Sequence, residues 1–219
     1  CCGASHLQDF DPFLSHVLNA RNICYAEKLG LTMVTLCNTC QINLAMTKEK
    51  LDHDADYRVK VNEKLAEVGL EYQGSVEIKH FLYALIDDFG LESIKAKVEV
   101  PLSNFNIAPF YGCHNIRPSE LHHKSNGGEN PYNPTSLDRL IDALEGHPVN
   151  YASKNKCCGF HVDLQAPHTS NALTGTALLD AIDNNADVVV TPCPLCHLNI
   201  CLLYTSDAAD EEDSVDLGG

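Results

Sequence analysis

Tryptophan is absent, methionine occurs twice, and basic residues number only 15 against 30 acids in the 219-residue chain. The formal charge of -15 excludes a phosphate backbone as partner, because neutralising one needs clustered lysine and arginine. Apolar runs are all interrupted within a few residues by Asp, Glu, Lys, Asn or His, so no transmembrane span is expected. No glycine-rich dinucleotide fingerprint occurs either, which argues against a flavin or nicotinamide held by this chain. What remains, 44% hydrophobic and 21% charged, is enough to bury one large core or two modest ones.

Against these shortages stand eleven cysteines, about three times the usual share for a chain of this length. Most of them form a repeat. Cys1-Cys2-Gly3 recurs as Cys157-Cys158-Gly159, and Cys37/Cys40 recurs as Cys193/Cys196, every pair at an offset of 156. In each copy 34 residues separate the Cys-Cys pair from the C-x-x-C, and an asparagine, Asn43 or Asn199, follows three residues later. Structural thiols buried one by one have no reason to keep a common spacing.

Periodicity places the sulfurs. Residues 11–29 read as a helix ending at Gly30, and 31–36 as a short strand running into Cys37. In the second copy, 171–185 read as a helix and 187–191 as a strand delivering Cys193. Two further strands are expected at 105–111 and 149–152, leading to Cys113 and to Cys157-Cys158, with a helix at 134–145 between them. Residues 43–98 read as three or four amphipathic helices packed between the copies, of which 76–88 is the clearest. Alternating strands and helices imply an α/β fold with mainly parallel sheets, whose ligands gather at the carboxyl ends of the strands. Cys113, Cys157, Cys158, Cys193 and Cys196 would then converge as five thiolates, more than a tetrahedral zinc accepts. Adjacent cysteines suit a multi-iron cluster better than one zinc ion, since neighbouring side chains on extended backbone point apart; zinc is the alternative. Cluster-binding thiols also suit a reducing compartment better than a disulfide scaffold does.

This pattern resembles the cysteine-rich CCG-domain family, and its two copies resemble the B component of CoB-CoM heterodisulfide reductase. The run Phe110-Tyr111-Gly112-Cys113-His114, with Arg117 and Pro118 after it, is similar to that family's entry into the second copy. The resemblance implies two tandem pseudo-symmetric CCG domains, 1–101 and 102–200, each with cysteines at the strand ends. It implies two non-cubane 4Fe-4S-type clusters, one held by Cys1, Cys2, Cys37 and Cys40, the other by Cys113, Cys157, Cys158, Cys193 and Cys196. It further implies a cytoplasmic iron-sulfur catalytic subunit that reduces CoM-S-S-CoB or a related disulfide to two thiols, as in methanogenesis and other anaerobic metabolism. Electrons would come through a 4Fe-4S subunit from a flavin-containing one. The alternative is an electron-transfer subunit of a succinate or fumarate, lactate or glycolate, or glycerol-phosphate oxidoreductase, without disulfide chemistry. The first copy lacks a fifth cysteine, expected some way ahead of Cys1, and the second copy its closing helices, so the chain is expected to be a fragment at both ends. Residues 201–219 resemble the translation of a sequencing adapter and are given no function.

Several other residues have plainer readings. Cys24 has no counterpart, position 180 being Asp180, and reads as a buried structural thiol. His114 and His197 adjoin cluster cysteines and could tune them or move protons, though surface roles compete. Arg117 could recognise an anionic substrate, with a surface ion pair the default, and His122-His123 fall in a polar loop. Asn43 and Asn199 are expected to cap or orient the helix after each C-x-x-C. The glycines Gly3 and Gly159 allow either close approach to a cluster or a turn.

Overall fold

The computed structural model describes residues 2–122 and 129–209. Cys1, His123 and 210–219 of the acidic tail lie outside the described residues. The chain opens with α1 (Ala4–Phe10) and α2 (Pro12–Leu29). Asp11 starts α2 by accepting the Leu14 N–H at 2.9 Å, with Pro12 at the first helical position. Gly30 stops it in the left-handed region at φ 63°, as expected from sequence. Strand β1 (Met33–Thr35) follows, then α3 (Asn38–His53), α4 (Ala55–Ala66) and β2 (Ile78–His80). β2 returns parallel to β1, with Met33 opposite Ile78 and Thr35 opposite His80.

The sequence reading of one helix over 76–88 fails here. Val76 and Ile78 are buried on one side while Glu77 is exposed, an alternation of period two that β1 captures by hydrogen bonding, so the strand forms first. Helical geometry begins only at α5 (Phe81–Tyr83) and passes into a π-helical stretch, Ala84–Gly90, before α6 (Leu91–Lys95). Of the other intervening helices, α4 stays in the first copy, whereas α6 packs against the second through Leu91. Buried side chains of α2, α3, α4 and β2 form a first core around Ile23, Leu44, Leu51, Val61, Leu65 and Ile78. Leu82 and Ile86 instead join Ile107, Tyr111, Leu137 and Ile141 in a second core.

The second sheet is built from β3 (Asn106–Pro109), β4 (His147–Pro148) and β5 (Val188–Val190), all parallel in the order β4-β3-β5. α7 (Ser119–His122) and α8 (Ser136–Ala143) separate β3 from β4, and α9 (Pro167–Asp183) leads into β5. The expected strand at 149–152 falls two residues earlier. Pro148 cannot donate to a ladder, so β4 is a two-residue edge strand, and the Val149 N–H closes it on the Ile107 carbonyl at 2.9 Å. Tyr151 then turns inward, its hydroxyl donating to the Pro109 carbonyl at 3.2 Å. α10 (Pro194–Ala209) completes the described chain and carries the first residues of the supposed tail. The expected class is thus realised: α/β, two small parallel sheets with flanking helices, and cysteines after the strand ends.

Candidate functional site

The local folding of each C-x-x-C is the same. Cys37 leaves β1 extended, and its carbonyl accepts the Gln41 N–H at 2.9 Å; Cys193 leaves β5 and accepts from His197 N–H at 2.9 Å. Each first cysteine is therefore a helix N-cap, and Cys40 and Cys196 sit in the first turns of α3 and α10. The open N–H groups and dipole of such a turn favour thiolate over thiol. Each Cys-Cys-Gly is also a turn, with Gly3 at φ 79° and Gly159 at φ 83°. A Cβ on Gly159 would lie 2.7 Å from Ser170 Cα, so the glycine is required by the turn and by packing on α9.

Asn43 and Asn199 are not caps. Both lie inside helices and reach across to the Cys-Cys-Gly turns: Asn43 Nδ2 donates to the Cys2 carbonyl at 3.3 Å, Asn199 Nδ2 to the Cys158 carbonyl at 2.6 Å. The asparagine of each repeat fastens its C-x-x-C helix to its cysteine pair.

These turns bring eight cysteines into one connected set. Cys40 Sγ lies 3.0 Å from Cys2 Sγ, and Cys37 Sγ lies 3.9 Å from Cys193 Sγ, joining the two copies. Each of the others shifts its neighbour's thiol, Cys37 with Cys40, Cys193 with Cys196, Cys196 with Cys158, Cys158 with Cys157 and Cys157 with Cys113, so the series runs through both copies. Every described cysteine expected as a ligand is in the set; Cys1 lies outside the described residues.

Shared protons divide these sulfurs into thiolate-like and thiol-like members. The Cys40 thiol holds Cys2 down to about 6, and the Cys113 and Cys158 thiols with the Gly159 N–H hold Cys157 down to about 2. Cys193 is likewise held far below the usual thiol range, by Cys196 and Cys37. Their donors shift the opposite way: Cys157 pushes Cys158 up to about 12, and Cys40, Cys113 and Cys196 are also pushed up by their sulfur partners. So much sulfur cannot ionise together without a cation among it.

An iron-sulfur group fits this donor set. All eight are soft sulfur donors, and a Cβ on Gly112, which is at φ 67°, would stand 2.9 Å from Cys196 Sγ, so the backbone is already bare beside the sulfurs. Among the described residues, no three or more Cys, His, Asp or Glu side chains are disposed about one point as a single metal ion would need. The sulfurs of Cys2 and Cys40 and of Cys37 and Cys193 approach in pairs, and the cleft lined by Cys113, Cys158, Cys193 and Cys196 is narrow, about 10 Å³.

The remaining expectations sort as follows. Cys24 is 2% exposed in the first core and is pushed up to about 11 by burial, away from the sulfur set. His114 Nδ1 lies 3.3 Å from Thr39 Oγ1, and its ring stacks on His161 at 4.2 Å between centroids. His161, half-buried and lowered by desolvation, escaped the sequence reading because its repeat counterpart is Ser5. His197 is exposed, with Nε2 3.5 Å from Cys201 Sγ. Arg117 donates to the carbonyls of Asn155 and Pro131 at 2.9 and 3.0 Å and ties two loops together.

Three further features were not foreseen. The Tyr111 hydroxyl donates to Asp138, which also takes Lys154 Nζ at 3.4 Å, while the Tyr111 N–H donates to the Lys154 carbonyl at 2.7 Å. This network clamps the loops carrying Cys113 and Cys157 to the start of α8. An apolar groove of about 440 Å³ runs between the copies, walled by Leu36 and Phe81 from the first and Leu137 and Leu140 from the second, and reaches Cys193. A hollow of about 550 Å³ beside Glu27, Lys28 and Glu71 lies on the first copy, with no cluster cysteine in its wall.

Among the described residues, no helix is long and apolar enough to cross a membrane. The chain is 38% identical over 208 residues to the 8-methylmenaquinol:fumarate reductase membrane anchor subunit of Wolinella succinogenes, covering 95% of this chain and 70% of that protein. It is 33% identical over 201 residues to the B component of the ferredoxin/F420H2-dependent CoB-CoM heterodisulfide reductase of Methanosarcina acetivorans, covering 90% of this chain and 65% of the relative. A crystal structure of a hypothetical protein from Helicobacter pylori superposes with a TM-score of 0.70 at 15% identity, over 97% of this chain and 37% of that one, a likeness of fold. The sequence model of the cysteine-rich domain matches residues 1–45 and 107–201, the stretches that hold every repeated cysteine. With that match and those relatives, the chain belongs to the cysteine-rich CCG-domain family, whose members here include components of reductases.

Proposed function

We propose that the chain is an iron-sulfur subunit that reduces a disulfide to two thiols. Cys1, Cys2, Cys37 and Cys40 would hold one group, and Cys113, Cys157, Cys158, Cys193 and Cys196 the other. Such groups supply electrons singly, which splitting a sulfur-sulfur bond can use. The observation that carries the reading is the groove: it opens between the copies and ends at Cys193, 3.9 Å from Cys37, where the two ligand sets meet. Its leucine walls would hold an organic disulfide away from water, and the helix N-termini behind Cys37 and Cys193 would favour negative charge there. The name of the Methanosarcina relative supports the same reading, with a disulfide such as CoM-S-S-CoB as substrate; separate iron-sulfur and flavin-containing subunits as the electron source belong to the proposal. A cytoplasmic site of action belongs to this proposal.

The second reading, an electron conduit in a larger oxidoreductase, is favoured by the 38% identity to the Wolinella fumarate reductase protein. Anaerobic iron, zinc and sulfide analysis with electron paramagnetic resonance on the reconstituted protein, with a thiol added under oxidising conditions, separates the two. About eight irons per chain, as two four-iron groups require, and a signal altered by thiol support disulfide reduction. Iron with no thiol response supports the conduit, and zinc without iron sinks both.

A further inference from the structure

We propose that Asn38 and Thr39, the two residues inside the first C-x-x-C, position Cys113 of the second copy, so that iron loading at the second cysteine set is controlled from the first motif; the inference rests on the iron-sulfur reading above. Both residues sit in the first turn of α3, directly after the N-cap Cys37, and are 1% and 2% exposed. The narrow cleft that they line holds four of the second set's five cysteines and no described cysteine of the first. Asn38 Nδ2 donates to the Tyr111 carbonyl at 2.8 Å, a buried bond between residues 73 apart in the chain. Thr39 Oγ1 lies 3.3 Å from His114 Nδ1. The pair therefore grips the turn on both sides of Cys113.

That turn needs an outside hold. β3 ends at Pro109, so Cys113 is carried by irregular backbone. Gly112 just ahead of it, at φ 67°, has no side chain to fix its conformation. The Tyr111 carbonyl belongs to the peptide that enters Gly112, and the bond from Asn38 fixes that rigid plane one residue before the ligand. On its other side Tyr111 is held by its own N–H, which donates to the Lys154 carbonyl at 2.7 Å. Hydrogen bonds that orient a metal ligand in this way are worth about 10- to 100-fold in metal affinity. The repeat makes the control one-way. At the matching places the second motif has Pro194, which is exposed, and Leu195, and neither side chain carries a hydrogen-bonding group with which to return the clasp.

The test combines iron content with protection of individual cysteines after anaerobic reconstitution with iron and sulfide. Asn38→Leu together with Thr39→Val nearly keeps both volumes and removes both hydrogen-bonding groups. The wild-type chain is expected to hold about eight irons, and N38L/T39V about four. Cys113 and Cys157 of the double variant should be alkylated by iodoacetamide at least about 10-fold faster than in wild type, read by peptide mass spectrometry, while Cys37 and Cys40 stay protected. Thr39→Ser keeps the hydroxyl and should load as wild type does. A double variant that still holds about eight irons with Cys113 protected overturns the proposal. Equal loss of protection in both sets marks a general loss of stability and overturns it too. If circular dichroism shows that N38L/T39V does not fold, the milder Asn38→Ala must show the same split between the sets. A wild-type chain that takes up no iron overturns the underlying reading, and this proposal with it.

Discussion

Cys37 and Cys193 occupy the same place in the two copies, 156 residues apart, and their sulfurs stand 3.9 Å from each other. Equivalent atoms of the two copies are therefore in contact. Each is the N-cap of its helix and each follows a parallel strand, so the contact brings two strand ends and two helix N-termini to one point. The repeat thus does more than duplicate a set of cysteines. It joins the sets through their equivalent members, and the groove that reaches Cys193 opens beside that junction.

The asparagine fastening can be tested in the second copy, where its geometry is shortest. Asn199 Nδ2 lies 2.6 Å from the Cys158 carbonyl and 2.9 Å from Ser170 Oγ, all buried. Asn199→Ala should cost about 1–3 kcal/mol, because it leaves that carbonyl unsatisfied. Asn199→Asp should cost more, since a carboxylate would face the carbonyl with no proton to offer. Urea unfolding of the metal-free protein checks this: the midpoint should fall for both variants, further for the aspartate, with the slope unchanged.

Gly112 is the tightest point beside the sulfurs. A methyl group there would press on Cys196 Sγ at 2.9 Å and would also hold an L-residue at φ 67°. Gly112→Ala should destabilise the metal-free fold by about 1–2 kcal/mol through the left-handed backbone alone. It should lower iron uptake more than that cost explains, because it displaces a ligand. A variant that loads iron as wild type does, while unfolding earlier, would confine the glycine to a backbone role.

The Asp138 network predicts a larger effect. Asp138→Asn leaves Lys154, 7% exposed, without its carboxylate, and should cost about 3 kcal/mol, as breaking a buried charge pair does. Tyr111→Phe removes hydrogen bonds but no charge and should cost about 1–2 kcal/mol. Thermal unfolding should therefore rank D138N below Y111F. The reverse order would mean that the tyrosine, not the ion pair, holds the cysteine-bearing loops.

How much of this was legible beforehand follows from where the signal resides. The cysteine repeat needed no packing to be seen, because residue type and the common offset of 156 are both read directly along the chain. α2 was readable from end to end because Asp11, Pro12 and Gly30 act locally. β2 was not, since Ile78–His80 becomes a strand only through its partner β1, and a short apolar run reads equally well as helix. Asn43 and Asn199 were singled out by spacing as capping or orienting their helices; the structure shows the second role and not the first, and the partners, 41 residues away in sequence, could not be named beforehand. His161 and the Tyr111–Asp138–Lys154 network lacked a signal altogether; nothing in their local sequence distinguishes a residue that closes on a distant loop.

Cys24 offers the last prediction, a pH dependence with a defined sign. Burial in the first core raises its thiol from 9.0 to about 11, so the folded state keeps a proton that the unfolded state releases first. Between about pH 9 and 11 the unfolded chain therefore binds fewer protons, and stability must fall as pH rises; below pH 9 this contribution is fully present. Cys24→Ala should flatten the decline in unfolding free energy over that window, whatever its packing cost at neutral pH. Some decline will persist, because burial also raises Tyr72 and Tyr111 from 10.0. At pH 8, iodoacetamide should leave Cys24 unmodified in the native chain and label it after unfolding, since only the exposed thiolate reacts. Prompt labelling of native Cys24, read by peptide mass spectrometry, would place the thiol outside the first core.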